Sequence, residues 1–412
     1  MKAPKILVAG LLAFSLAGVS NAQTIVHITG STAFRAAVHQ AIQDILNPSQ
    51  PLSIAYVNSG SSGLPGASAA IFNGSLYSSN GGGPVIIKTY WSGSVGGVQA
   101  VSQQLALSSA WLTNATAGTQ AGANVYGSAV YDPPTVPDVT MSDVFQASTP
   151  FPTPQLVDQI VGVVPFKWVR NNGSPSTWSN MAPQLAVALY GGSGKLPLAL
   201  FTGLNSDEGT NVYALGRNAD SGTRMTAFAE TGVGPFSTVQ QYYPLDGSTI
   251  IKSGTGTTIT GQELVPVDTV NGITYLPGNS GYNGGGDLAA AMKATGSATA
   301  TNVNGFYVAY LGLSDAYTAE SGGATDLAYN GVTYSTNAVQ EGHYTFWGYE
   351  HLDYTTGYSN PGKAVANLIA NKLYYQDADI IPSTGNPVAA GIRSIYMNVE
   401  RSTDGGTIYN NY

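Results

Sequence analysis

The sequence predicts an α/β protein. Short β-like apolar runs alternate with segments whose apolar residues recur at helical spacing. Three of the strand-to-helix turns carry Gly with Ser or Thr. The chain has neither a tandem repeat nor heptads, which leaves layered strand–turn–helix units as the reading.

The chain opens on an address. Lys2 and Lys5 form a positive n-region, Ile6–Val19 a short apolar h-region, and Ser20-Asn21-Ala22 a small-residue cleavage site. This predicts a secretory signal peptide over 1–22, cut after Ala22, and a periplasmic or secreted product. The apolar run is too short for a bilayer span, and no later segment is long enough. There is no cysteine. That closes a lipid anchor on Cys, disulfides and Cys-ligated metals. Charged residues make up 9% and the net charge is -8, which argues against nucleic acid as a partner. A small anion stays open, because a closed site answers to local dipoles rather than to net charge. The length suggests roughly two or three domains' worth of chain.

In order, Ile25–Ile28 reads as a strand ending at Thr29-Gly30-Ser31-Thr32. Phe34, Ala37, Val38, Ala41, Ile42, Ile45 and Leu46 then share one helical face, with Ser31 or Thr32 as N-cap. Pro48–Pro84 and Ala106–Pro137 read as Gly/Ser-rich insertions, the first holding one strand-like run at Leu52–Val57. Val85–Trp91 is a strand that enters Ser92-Gly93-Ser94-Val95-Gly96-Gly97 and a helix. Two stretches compete for the role of binding turn, Gly60–Gly63 and the turn at Ser94. Pro65 and Gly66 interrupt any helix after the first, whereas an unbroken amphipathic run follows the second. Ser94 is therefore the expected binding turn.

Val139–Met141 is a brief strand ending at Ser142-Asp143, and Ile160–Val169 a strongly apolar one that suggests a crossing between domains. Gln184–Tyr190 reads as helix, Leu198–Thr202 as extended, and Thr223–Glu230 as helix. Asp287–Ala294 is a helix, Phe306–Leu311 a buried strand, His343–Leu352 an aromatic-rich strand, and Lys363–Leu373 the last helix.

A helix N-terminus offers unpaired N–H groups and the positive end of a dipole, and Ser, Thr and Gly beside it suit an oxyanion. One such turn alone reads first as an ordinary capped helix, so the inference needs several turns converging on one point. The strongest case is "GRNADSGTRMTAF", Gly216–Phe228. Arg217 supplies a planar fork four residues before Ser221-Gly222-Thr223 at a helix start. The plain alternative is a surface salt bridge between Arg217 and Asp220.

Arg217 to Thr223 resembles the Arg-x-x-x-Ser-Gly-Thr signature of the phosphate-binding proteins that serve phosphate ABC importers. "ITGSTAF", "GSVGGVQAV", "DVTMSDVF", "IVGVVPFKWV", "GYNGGGDLAAAM" and "GFYVAYL" resemble further pieces of that family, in its order. The resemblance implies a two-domain type II periplasmic-binding-protein fold with hinge strands, here with insertions over 48–84 and 106–137. It places one domain at 23–168 plus 343–412 and the other at 169–342.

It also implies a ligand set. Thr32 and the backbone N–H of Ala33 bind from the first turn, Ser94 from the second, and Asp143 accepts a hydrogen bond from the ligand. Arg217, Ser221, Gly222 and Thr223 close from the other domain. A buried carboxylate at Asp143 suits phosphate, which keeps a proton near neutral pH, and repels sulfate, which does not. Without the resemblance, Asp143 reads equally as a cap or turn carboxylate.

The implied function is an exported receptor delivering phosphate, or a similar oxyanion, to an ABC importer permease, with no cofactor. The alternative is an extracellular structural or adhesive protein on the same fold, favoured by the low charge and the Gly/Ser/Asn/Tyr-rich insertions. An enzyme is not expected. His27, His39, His343 and His351 show no paired metal spacing, there is no GxSxG elbow, and Asp-rich metal motifs are missing.

Overall fold

A computed structural model describes residues 23–60, 62–116, 118, 120–246, 249–251, 261–270, 273–295, 305–382 and 387–411. The expected signal peptide and Ser61 lie outside them.

The first strands are β1 (Thr24–Gly30), β2 (Ser53–Val57), β3 (Ala69–Ser75), β4 (Pro84–Tyr90), β5 (Ala123–Asn124), β6 (Val139–Ser142) and β7 (Leu156–Arg170). Then come β8 (Asn180–Met181), β9 (Lys195–Pro197) and β10 (Asn211–Ala214). A three-stranded sheet follows, made of β11 (Tyr242–Asp246), β12 (Thr249–Ile250) and β13 (Gly261–Leu264), and then a hairpin of β14 (Thr269–Val270) and β15 (Ile273–Thr274). The chain continues with β16 (Gly305–Gly312), β17 (Thr325–Tyr329) and β18 (Trp347–Thr355). The helices are α1 (Arg35–Ile45), α2 (Ser94–Ser102), α3 (Pro183–Tyr190), α4 (Ala199–Thr202) and α5 (Gly222–Thr231). After them come α6 (Gly285–Met292), α7 (Leu313–Glu320), α8 (Thr336–Gln340) and α9 (Gly362–Lys372).

Thirteen strands share one mixed sheet in the order β5-β2-β3-β4-β1-β6-β18-β7-β16-β10-β9, with β17 pairing both β7 and β8. The fold class is α/β, as the sequence predicts. β1 runs parallel to β4 and β6, and β10 parallel to β16. β18 is antiparallel to both β6 and β7.

β7 is the longest strand of this sheet and joins its two halves, β5 to β18 on one side and β16 to β9 on the other. Its first part, Leu156–Pro165, pairs with β18, and its last part, Phe166–Arg170, pairs with β16. The burial along it follows the sequence. Val157–Ile160 alternate or face solvent, whereas Val161–Phe166 are buried on both faces. A run apolar on both faces is what a strand covered on both sides requires.

An aromatic cluster fills the core where the halves meet. Trp168 stacks on Phe346 with ring centres 5.6 Å apart, and Tyr310 packs edge-on to Trp168 at 5.6 Å and to Phe228 at 5.6 Å. Full burial of such rings is the main stabilising term in this region. α1 buries the predicted face: Phe34, Ala37, Val38, Ala41, Ile42, Ile45 and Leu46 are all at most 1% exposed.

Three local expectations are corrected. α1 begins at Arg35 after Phe34, whose backbone holds the N-cap position with no side-chain cap, so neither Ser31 nor Thr32 caps it. Leu198–Thr202 was expected to be extended, but Ala199–Thr202 closes a single helical turn ending at Gly203 in the left-handed region, φ 73°. The 48–84 segment holds two strands rather than one. β3 joins β2 to β4 in antiparallel register, and Asn73 and Gly74 hid it by breaking its apolar pattern.

Candidate functional site: a buried carboxylate between two hydroxyl-bearing turns

Two turns from one half of the sheet and one loop from the other meet at Asp143. β4 ends at Tyr90 and leads through Ser92-Gly93 into α2, whose first residue is Ser94. Gly93 has φ 89°, and a Cβ there would collide with the Asp220 carbonyl, so only glycine fits. β6 ends at Ser142 and places Asp143 beside that helix start. β10 leads through Arg217 into α5, with Ser221 as N-cap.

Ser94 Oγ donates to Asp143 Oδ1 and also accepts from the Asp143 backbone N–H at 3.2 Å. From the other half, Thr223 Oγ1 donates to Asp143 Oδ2 at 3.0 Å, and Thr226 Oγ1 to the Asp143 carbonyl at 3.2 Å. Gly222 lies flush on the carboxylate: a Cβ there would overlap Asp143 Oδ1 and crowd Ser94 Oγ. Ser221 Oγ caps α5 by accepting from Arg224 N at 3.2 Å. Ser94, Asp143, Arg217, Ser221 and Thr223 are each no more than 4% exposed. Of the expected residues, six come together: Ser94, Asp143, Arg217, Ser221, Gly222 and Thr223. Thr32 and Ala33 lie half-buried in the first turn, with Gly312 of β16 packed on Ala33. Neither joins the hydrogen bonds of Asp143 among the described residues.

Arg217 is not a surface residue. Its Nε donates to the Tyr282 carbonyl at 3.1 Å and its Nη2 to the Asn283 carbonyl at 2.9 Å. Its backbone N–H donates to Tyr310 Oη at 3.2 Å, which ties the loop to the aromatic core. Burial lowers the pKa of Arg217, while Asp315 and Asp143 support its charge. Asp220 instead docks on α2, its carbonyl accepting from Val95 N at 3.0 Å.

Burial pushes the Asp143 carboxyl above the usual carboxylate range, against the pull of the Ser94 and Thr223 hydroxyls and of Arg217. Asp143 is therefore neither a helix cap nor a plain turn carboxylate. It bridges the two halves.

Four charged neighbours escaped the sequence reading. Asp315 of α7 lies close to Gly285 and Arg217; burial raises its pKa, and Arg35 and Arg217 oppose that. Arg35 opens α1, and its field reaches Asp315 and Asp287. Glu350 of β18 is fully buried, with the Ser31 hydroxyl as the neighbour that favours its charged form. Burial, with the nearby Asp143, holds Glu350 well above the usual range. Arg224, inside α5, donates to the Arg217 carbonyl at 2.9 Å and to Asn279 at its carbonyl and side-chain oxygens, both at 3.0 Å. Only Arg224 had a local signal, being the second Arg of the same motif.

Beside the network a cavity of about 470 Å³ opens between the two halves. Trp91, Ser92 and Gly96 line it from one side, and Asn218, Asp220 and Asn283 from the other.

No family model matches the sequence, and no curated protein does. Among solved structures the chain is similar to a candidate phosphate ABC transporter substrate-binding protein of Clostridium perfringens with bound phosphate. That match has 12% identity and a TM-score of 0.46, over 89% of this chain and 100% of that one. It is also similar to an ABC-type phosphate transport receptor of Vibrio cholerae, at 11% identity and TM-score 0.43, over 85% and 96%. A third is PstS of Borrelia burgdorferi, at 10% identity and TM-score 0.37, over 85% and 92%. Among the described residues no helix is long and apolar enough to cross a membrane.

Proposed function

We propose that the protein is an exported solute-binding protein that takes phosphate, or a similar tetrahedral oxyanion, and hands it to an ABC importer permease. The observation that carries this reading is the Asp143 carboxylate, held by hydroxyls from both halves at the capped start of α5. That carboxylate sits in a cradle of donors suited to an oxyanion. On binding, Ser94, Thr223 and the N–H groups at Gly222 and Thr223 turn to the ligand's oxygens, with Arg217 supplying the positive field. Asp143 then accepts a hydrogen bond from the hydroxyl that phosphate keeps. Sulfate has none to give, so the same carboxylate repels it. Thr32 and the Ala33 N–H approach from the first turn.

The halves, divided at 168/169 and 342/343, open and close about the strands that join them, with the ligand favouring the closed state. The chain acts in the periplasm or outside the cell after loss of residues 1–22. It performs no catalysis.

The test is calorimetry on protein freed of ligand by unfolding and refolding. Phosphate gives heat with the wild type, and Arg217→Ala and Asp143→Ala lose it. No heat with the wild type rejects the reading.

A second reading, an extracellular structural or adhesive protein, draws on the strands β2, β3 and β5. The two Gly/Ser-rich segments add these at one edge of the sheet. Location in surface filaments, with expression independent of phosphate supply, would favour it.

A further inference from the structure

A second cluster of reactive side chains lies on the two strands that run through the middle of the sheet. β7 and β18 are antiparallel, and Asp158 stands directly opposite Asp353. His351 lies two residues before Asp353 and so projects from the same face. The register shifts between Glu350 and His351, a bulge that resets which residues face each other there. His351 Nδ1 comes within 2.8 Å of Asp158 Oδ1. One donor atom from each of Asp158, His351 and Asp353 lies within 4.8 Å of the other two.

By itself this cluster is poorly satisfied. Two carboxylates facing each other across a strand pair repel. His351 and Asp353 are each 1% exposed, and although the Asp353 carboxyl shares a hydrogen bond with Asp158, His351 Nε2 and Asp353 Oδ1 have no hydrogen-bond partner among the described residues. A buried, unpaired carboxylate oxygen is costly unless something positive is shared with it. The Asp158 side chain is 45% exposed and gives access from solvent. On the inner side the Phe145 ring covers the imidazole, with centroids 4.6 Å apart.

We propose that Asp158, His351 and Asp353 bind one divalent transition cation, of which Zn²⁺ is the probe. One imidazole and two carboxylates form a mixed nitrogen–oxygen set of the kind such ions accept, with the exposed side left for water. Ca²⁺ wants about six to eight oxygen donors, more than three side chains with one imidazole supply. The cation cancels the charge of the two carboxylates and clamps β7 to β18, the strands through which the chain passes between its halves. No sequence spacing marks this set, because Asp158 and His351 lie 193 residues apart and only the strand register joins them.

The test uses the full chain, stripped with EDTA and titrated with ZnCl₂ by calorimetry and by thermal unfolding. The wild type should take one Zn²⁺ per chain and unfold at a higher temperature with it. Asp158→Asn, at the half-exposed position, should keep its circular dichroism spectrum and bind Zn²⁺ at least tenfold more weakly. Asp353→Asn should lose the thermal shift. The proposal is overturned if the wild type takes no Zn²⁺, or if Asp158→Asn binds it as tightly as the wild type. Phosphate plays no part in this titration, so its outcome is independent of the anion-binding reading.

Discussion

Thr223 donates its hydroxyl to Asp143 Oδ2 at 3.0 Å, and the two residues come from opposite halves of the sheet. With Ser94 on the other oxygen, the carboxylate is held from both sides. The same groups thus tie the halves together and form the proposed anion site.

Ser94→Ala removes a donor to that carboxylate and, on the proposed function, one donor to the anion. Phosphate affinity should fall about 10-fold or more, in line with roughly 1.5–3 kcal/mol for a hydrogen bond to a charged group. Ser61→Ala, in the competing Gly60–Gly63 stretch, should leave affinity unchanged. Calorimetry on the two variants side by side checks this, and equal loss in both would place the binding turn wrongly.

Gly222→Ala puts a methyl group into the Asp143 carboxylate. Steric overlap of this kind costs roughly 1–3 kcal/mol where the neighbours can shift. Urea unfolding should show that loss, and phosphate binding should disappear. Wild-type behaviour would mean that α5 does not sit this close to Asp143.

Arg224 positions Arg217 rather than meeting a ligand. Its guanidinium holds the Arg217 carbonyl and both oxygens of Asn279. Arg224→Met leaves the Asn279 carbonyl without this donor, while Val239 N–H and Gln241 Nε2 still serve the Asn279 side-chain oxygen and the Arg217 carbonyl, and should cost about 1–3 kcal/mol in urea unfolding. Arg224→Lys should restore only part of this, because a point charge cannot span three acceptors in the guanidinium plane.

His39 makes stability depend on pH. The Trp91 indole can only donate, and its Nε1 reaches His39 Nε2 at 3.3 Å. Nε2 is therefore an acceptor, and Nδ1–H donates to the Leu64 carbonyl at 2.8 Å. The ring is neutral. Burial lowers its pKa to about 3, with a smaller contribution from Arg35. The unfolded chain takes up this proton near the ordinary value of about 6.5 and the folded chain does not. The contribution is thus fully present above that value and is lost as pH falls toward 3, on the order of 5 kcal/mol at the limit. Urea midpoints at pH 7, 5 and 4, read by tryptophan fluorescence, should fall more steeply for the wild type than for His39→Gln.

The legible parts of this protein were the local ones. The start of α5 could be read because Ser-Gly-Thr beside an Arg is cap chemistry within a few residues. The buried face of α1 followed from its period. Asp143 needed the resemblance, since one carboxylate after a strand has many ordinary uses. Glu350, Asp315 and the Asp158–His351–Asp353 group were out of reach, because pairings across strands and between helices decide them. The turn at Thr32 misled in another way. Its hydroxyls looked like a helix cap, but the backbone of Phe34 holds that position.

The most direct test of the central claim is a paired titration of ligand-stripped protein with phosphate and with sulfate near neutral pH. If Asp143 accepts a hydrogen bond from the protonated ligand, phosphate should bind at least about 100-fold more tightly than sulfate, a difference of about 2.7 kcal/mol. Equal affinities, or no phosphate binding at all, would contradict the account.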